Sequence, residues 1–212
     1  MAGTLADMKD RITDELDRDD LSDQVENAIR DAIALYQPTR FYFNETGAEG
    51  SNFVTQAGKV TYGATDDPDI PFFYDIDEIF VTISNNNYRV RRIDPSFWRI
   101  QQLPTMRGQP YQYMWANQTI SLFPTPNTAY AMTITGHYKI AAPASDTEPN
   151  NHWMTDAEGL IRNCAKRLLF TDLVRNYEAA EVAGAREREH LDQLKRVTSG
   201  MIRNTRIEAM DF

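Results

Sequence analysis

Cysteine occurs once in the 212 residues, at Cys164. No intramolecular disulfide is possible, and a zinc centre built from several thiolates is excluded. Histidine is scarce too. His137, His152 and His190 lie far apart without metal-ligand spacing, so neither a metal nor a cofactor is expected. The opening residues, MAGTLADMKDRITDEL, hold no basic start followed by an apolar stretch, so no signal peptide is expected. Nor does any window approach the run of about eighteen apolar residues that a membrane span needs, so no membrane partner is expected.

A basic surplus is missing as well. Net charge is −9, and residues 1–36 carry ten acids against four bases. Residues 37–154 carry eleven acids and eight bases, and residues 155–212 ten of each. A protein that reads duplex DNA needs a basic stripe to displace counterions; this charge distribution argues against that role. Catalytic signatures fail in turn. Gly58 and Lys59, with Thr61 close by, suggest a phosphate loop, but Phe53 stands where its first glycine is required. None of the seven serines lies in a Gly-x-Ser-x-Gly elbow. Carboxylates crowd the first helices at Asp7, Asp10, Asp14, Glu15, Asp17, Asp19, Asp20 and Asp23. A glycosidase pair could be drawn from them, yet a solvated acidic face accounts for them more simply.

What is present is periodicity. Leu5, Met8, Ile12 and Leu16 recur at three- and four-residue steps, one apolar helix face, with Thr4 and Asp7 able to cap it. Residues 17–20 interrupt the pattern. A second stripe follows at Val25, Ala28, Ile29, Ala32, Ile33 and Tyr36, with Ser22 as the expected cap and Pro38 as the stop. From residue 41 the period shortens to that of strands. Residues 78–83 and 88–92 read as a hairpin about Asn85, Asn86 and Asn87. Residues 111–115 and 119–123 read as another about Ala116 and Asn117, and residues 129–135 alternate clearly. Between the hairpins, Asp94 and Pro95 open a short helix carrying Phe97, Trp98 and Ile100. Antiparallel pairing is expected for such short connections.

After a polar loop, Thr155 and Glu158 have the spacing of a capping box. A strong helix follows with Leu160, Ile161, Cys164, Ala165, Leu168, Leu169, Leu173 and Tyr177 on its stripe. Leu191, Leu194, Val197 and Met201 continue in helical register; Gly184 either breaks the two stretches or lies inside one helix. Cys164 falls among leucines and is expected to be a buried thiol. The simplest arrangement covering every stripe packs the two ends together. The expected fold is α+β, a helix bundle from residues 1–38 and 152–212 with an antiparallel β-rich insert at 39–151.

Aromatics make up 11% of the chain and concentrate in the insert. Trp98, Arg99, Arg107, Tyr111, Tyr113 and Trp115 are candidates for a subunit or tail interface, where Tyr, Trp and Arg are enriched. Trp98, Tyr113 and Trp115 could also form a stacking surface for single-stranded nucleic acid, against which the acidic balance weighs. At the other end, Ile207, Met210 and Phe212 have no evident helix to pack on and could dock into a partner. A cell-wall hydrolase using Glu15 and Asp19 is the enzymatic alternative.

The order of these features resembles the head-to-tail adaptor, tail tubular protein A-like, family of short-tailed bacteriophages. The likeness runs through residues 21–36, 41–45, 79–83, 88–92, 108–113, 120–126, 130–135 and 151–155. Its most specific part is GQPYQYMWANQTISLFPTPNTAYAMTITGHY, a Gly-x-Pro, an aromatic strand, a Pro-x-Pro turn and a second aromatic strand. The resemblance implies a non-enzymatic virion protein, made in the host cytoplasm, that forms a ring of typically twelve copies below the portal. Its partners would be the portal protein, the tail nozzle protein and other copies of itself, with double-stranded DNA passing through unbound. It also implies a C-terminal segment that reaches the portal, a place held here by Met201, Ile202, Ile207, Met210 and Phe212. An acidic channel wall would suit such a conduit by repelling the DNA backbone.

Overall fold

A computed structural model describes residues 3–47, 49–65, 67–101 and 106–208. The fold is α+β: helices from both ends of the chain form a bundle, and an antiparallel-rich sheet is inserted between them in sequence. The chain divides into two units, Met1–Phe43 with Ile140–Phe212, and Asn44–Lys139.

In the helical unit, α1 (Leu5–Leu16) opens with a capping box. The Thr4 hydroxyl accepts the Asp7 N–H at 3.1 Å, and the Asp7 carboxylate accepts the Thr4 N–H at 3.1 Å. Leu5, Met8 and Ile12 face inward. Asp17 ends the helix in the left-handed region (φ 53°), a conformation that short polar side chains tolerate. A single 3₁₀ turn, Asp19–Leu21, leads into α2 (Ser22–Tyr36), which buries Val25, Ala28, Ile29, Ala32 and Ile33. The preceding turn, not Ser22, starts this helix: Ser22 is already its first residue, and no side chain caps it.

The polar loop before the third long helix ends on a cap that the spacing did not suggest. Asn151 caps a short helix that the periodicity did not suggest, α4 (His152–Thr155), accepting the Trp153 N–H at 3.1 Å. Its amide also donates to Ala141 O at 3.2 Å and Glu148 Oε1 at 3.1 Å. The Thr155 hydroxyl bonds Asn151 O and Asp156 instead, so the Thr155–Glu158 box does not form. Trp153 is fully buried, edge-on to Phe41 and Phe43, and its indole N–H donates to Ile140 O at 3.1 Å. Phe41, Phe43, Ile140 and Ala142 pack in this core, so the helical unit takes in residues beyond 1–38 and 152–212.

α5 (Glu158–Leu169) turns Leu160, Ile161, Cys164 and Ala165 into the same core. It does not run on through Tyr177. A π turn at Phe170–Val174 and a left-handed Arg175 (φ 56°) end it, and a 32-residue helix, α6 (Tyr177–Glu208), follows. The π turn carries an extra residue, so the periodicity read across it slips. Leu173 and Tyr177, both expected on the inner stripe, are exposed. Gly184 lies within α6 and breaks nothing. A Cβ there would stand 3.1 Å from the Arg167 side chain, which packs across the helix.

The insert is a seven-stranded sheet in the order β1-β9-β3-β4-β6-β7-β2. Its strands are β1 (Ser51–Val54), β2 (Thr61–Gly63), β3 (Phe73–Ile83), β4 (Asn86–Arg92), β6 (Gln112–Ala116), β7 (Thr119–Phe123) and β9 (Ala131–Tyr138). The sheet curls, so its two end strands meet: Phe53 of β1 packs on Tyr62 of β2 with ring centroids 5.3 Å apart. One core results, holding Phe53, Tyr62, Ile79, Val81, Tyr113, Ile120, Met132 and Ile134.

Both hairpins form, each with a two-residue turn one position from where the composition places it. Ser84 and Asn85 (φ 49° and 64°) join β3 to β4, and Asn117 and Gln118 (φ 51° and 59°) join β6 to β7. Two positive φ values match the twist of a tight hairpin. Not every pairing is antiparallel. β4 runs parallel to β6, and the short β5 (Arg107–Gly108) runs parallel to β8 (Thr125–Pro126). The hairpin rule applies to short connections. Here the chain leaves β4, passes through α3 (Pro95–Gln101), and returns in the same direction. Asp94 caps α3, accepting the Ser96 N–H at 2.8 Å.

Candidate interaction surfaces

The structure divides the aromatic set of the insert between interior and surface. Trp98, on α3, is buried edge-on against Phe123 at 6.4 Å. Tyr113 points into the sheet core, and burial pushes its hydroxyl pKa up. Tyr111 is exposed, its edge against Phe123 at 5.8 Å. Trp115 is half-buried beneath the Arg92 guanidinium, 5.3 Å from its ring centroid. That is a cation–π contact, and Arg92 also reaches Asp75 at 3.5 Å. Arg107 is exposed on β5. Arg99 belongs to α3, and its side chain lies outside the described residues. Trp98, Tyr113 and Trp115 are therefore not brought to one exposed row on which bases could stack; the surface set is Tyr111, Trp115 and Arg107.

The acidic helices are laced with ion pairs. Lys9 joins Glu26 and Asp146, each at 3.1 Å, and Arg11 joins Glu158 at 3.2 Å. Glu15 is bound by Arg162 at 3.2 Å and by Lys166. Its place is thus a bridge between α1 and α5. The side chain of Asp19, its supposed catalytic companion, lies outside the described residues.

One buried charge cluster ties three helices. Glu187 of α6 accepts Arg167 Nε at 2.5 Å, Arg167 Nη2 at 3.2 Å and the Tyr36 hydroxyl at 2.6 Å. Burial opposes ionisation of Glu187, but the hydrogen bonds from Arg167 and Tyr36 outweigh it and hold its carboxyl below the ordinary range. Burial and the same carboxylate push the Tyr36 hydroxyl up. Cys164 lies beside Arg167, and burial raises its thiol to about 12. All three hydrogen bonds join groups of this unit, so the cluster reads as a clamp.

Exposed features of the helical unit include two with apolar side chains at the surface. The first is a groove of about 370 Å³ between α2 and the end of α5, lined by Ala28, Leu35, Leu168 and Leu173 and rimmed by Asp31 and Asp172. Leu35 is 56% and Leu173 45% exposed. The sequence carried a signal for Leu35, which falls off the α2 stripe; Leu173 was hidden by the π turn. The second is the distal part of α6, where Val197 (40%) and Met201 (50%) are exposed one turn apart. Of the tail residues, Ile202 and Ile207 lie in α6 with side chains outside the described set, and Met210 and Phe212 lie beyond it. Among the described residues no group of three or more His, Cys, Asp or Glu could hold a metal ion. No described helix is long and apolar enough to cross a membrane.

A protein-family model described as SU10 adaptor protein matches residues 3–209. No curated protein sequence matches the chain.

Proposed function

Because the chain belongs to the SU10 adaptor protein family, whose members are phage head-to-tail adaptors, we propose that it joins the portal of the head to the tail nozzle as a non-enzymatic ring of copies. The observation that carries this reading is the extent of the family match, which runs from α1 through the insert to the last turn of α6. The helices supply the rigid frame and the insert supplies exposed Tyr111 and Arg107 and half-buried Trp115 for a tail-side or subunit contact. Residues 201–212 reach the portal, with Met201, Ile202, Ile207, Met210 and Phe212 as the apolar contacts. Twelve copies is the expected ring size. DNA passes through without specific binding, which a net charge of −9 per copy favours by repelling the phosphate backbone.

The test is binding of the purified chain to its cognate portal ring, followed by electron microscopy of the complex. A closed ring of copies seated on the portal is expected. Deleting residues 201–212 should weaken binding at least tenfold. Unchanged affinity after the deletion defeats the docking role of the tail, and absence of any ring on the portal defeats the adaptor role.

A further inference from the structure

A ring contact is heterologous, so each copy must present two different faces that fit each other. The helical unit carries two exposed faces of complementary character. The α2/α5 groove is apolar through Leu35, Leu168 and Leu173, and its only charged lining residues are Asp31 and Asp172. The distal part of α6 is the reverse. From Gln193 to Ile207 it carries Lys195, Arg196, Arg203 and Arg206, with acids only at its borders, Asp192 and Glu208. Lys195 and Arg196 are exposed, together with Val197 and Met201.

Gly200 adds a second observation. It sits inside α6, where glycine costs about 1 kcal/mol relative to alanine. A Cβ at this position would meet nothing within 4 Å. Its neighbours in the fold therefore give no reason for a missing side chain. Glycine on an exposed helix face, between Val197 and Met201, lets a second backbone approach closely.

We infer that the face of α6 formed by Arg196, Val197 and Gly200 of one copy seats in the α2/α5 groove of the next. Val197 enters between Leu35 and Leu173, with Gly200 beside it on the same face, while Arg196 meets Asp31 and Asp172. The inference rests on the ring reading above and names the surfaces that would close the ring.

Crosslinking on the portal-bound assembly tests it. Leu35→Cys with Val197→Cys should give a ladder of disulfide-linked oligomers under mild oxidation, since native Cys164 is buried. Asp31→Lys with Asp172→Lys should cut ring occupancy at least tenfold, and adding Arg196→Glu should restore much of it. Gly200→Trp, which has room within its own unit, should block assembly while leaving the helical circular dichroism unchanged. A full ring on the portal with no crosslink, and with the charge reversals silent, overturns this inference while the adaptor role stands. If the unaltered chain forms no ring on the portal, the adaptor reading fails, and this inference with it.

Discussion

Removing the Glu187 carboxylate should unfold the helical unit at markedly lower temperature. The side chain is 7% exposed and holds three charge-assisted hydrogen bonds. Glu187→Ala leaves Arg167 without a counter-charge. A fully buried orphan charge costs about 3–5 kcal/mol, but the Arg167 side chain is 33% exposed, and water lowers that to roughly 2 kcal/mol. The Tyr36 hydroxyl loses its acceptor as well, worth about 1 kcal/mol. The sum, about 3 kcal/mol, lowers the melting temperature by roughly 10 °C for a unit of this size. Tyr36→Phe alone should cost about 1.5 kcal/mol, because one donor to a charged acceptor is lost. The double variant should cost less than the two single costs added, since the groups share one network. Thermal melts followed at 222 nm report mainly on the helices. A loss below 0.5 kcal/mol in Glu187→Ala would show that the cluster is solvated in solution and the clamp is wrong.

Acid should act on the same clamp. The folded Glu187 carboxyl lies below its ordinary value of 4.5, so its contribution is present above pH 4.5 and fades as pH falls through the folded value. Asp156, also held low against burial by Tyr42, His152 and Thr155, acts in the same direction below 3.8. Glu187→Gln should therefore flatten the stability curve below pH 4.5, measured by melts across that range; an unchanged slope rejects the assignment. In the insert, Gln118 holds φ 59° in a turn where glycine is strain-free. Gln118→Gly should gain about 0.5–1 kcal/mol, read by urea unfolding followed through tryptophan fluorescence, and a loss would contradict the turn geometry. Cys164 should resist an aromatic disulfide reagent at pH 8 in the folded protein and react at once in denaturant, given its burial and a thiol near 12.

The amphipathic helices were legible because each carries its own signal. The stripes of α1 and α2 and the Thr4–Asp7 cap depend on neighbours three or four residues away. The strands of both hairpins were legible for the same reason, with their turns displaced by one residue. What stayed hidden depends on distant partners. Asn151 caps α4 with its amide fixed by Ala141 O, ten residues back, as well as by nearby Glu148. The π turn at Phe170–Val174 has no composition of its own, and with the left-handed Arg175 after it, it breaks the stripe that carried Leu173 and Tyr177. The parallel join of β4 to β6 is likewise set by the path through α3.

The same distinction governs the candidate surfaces. Aromatic content in the insert could not say which rings the core would consume, because strand alternation places residues 113 and 115 on one face without saying how far the core extends. The sheet closes over Tyr113, while Trp115, at the end of β6, is left half-covered by Arg92. Trp98 is spent on Phe123. Among what remains outward are apolar side chains flanked by charge: half-buried Trp115 with Arg92 in the insert, and Leu35 with Asp31 and Val197 with Arg196 in the bundle. Each such patch is too small to hold a partner tightly by itself, since affinity must first offset the loss of translational and rotational freedom. Contacts of this kind become stable when a template fixes several at once, because later contacts then form at high effective concentration. A chain with these surfaces should stay dispersed when free and assemble sharply on a portal.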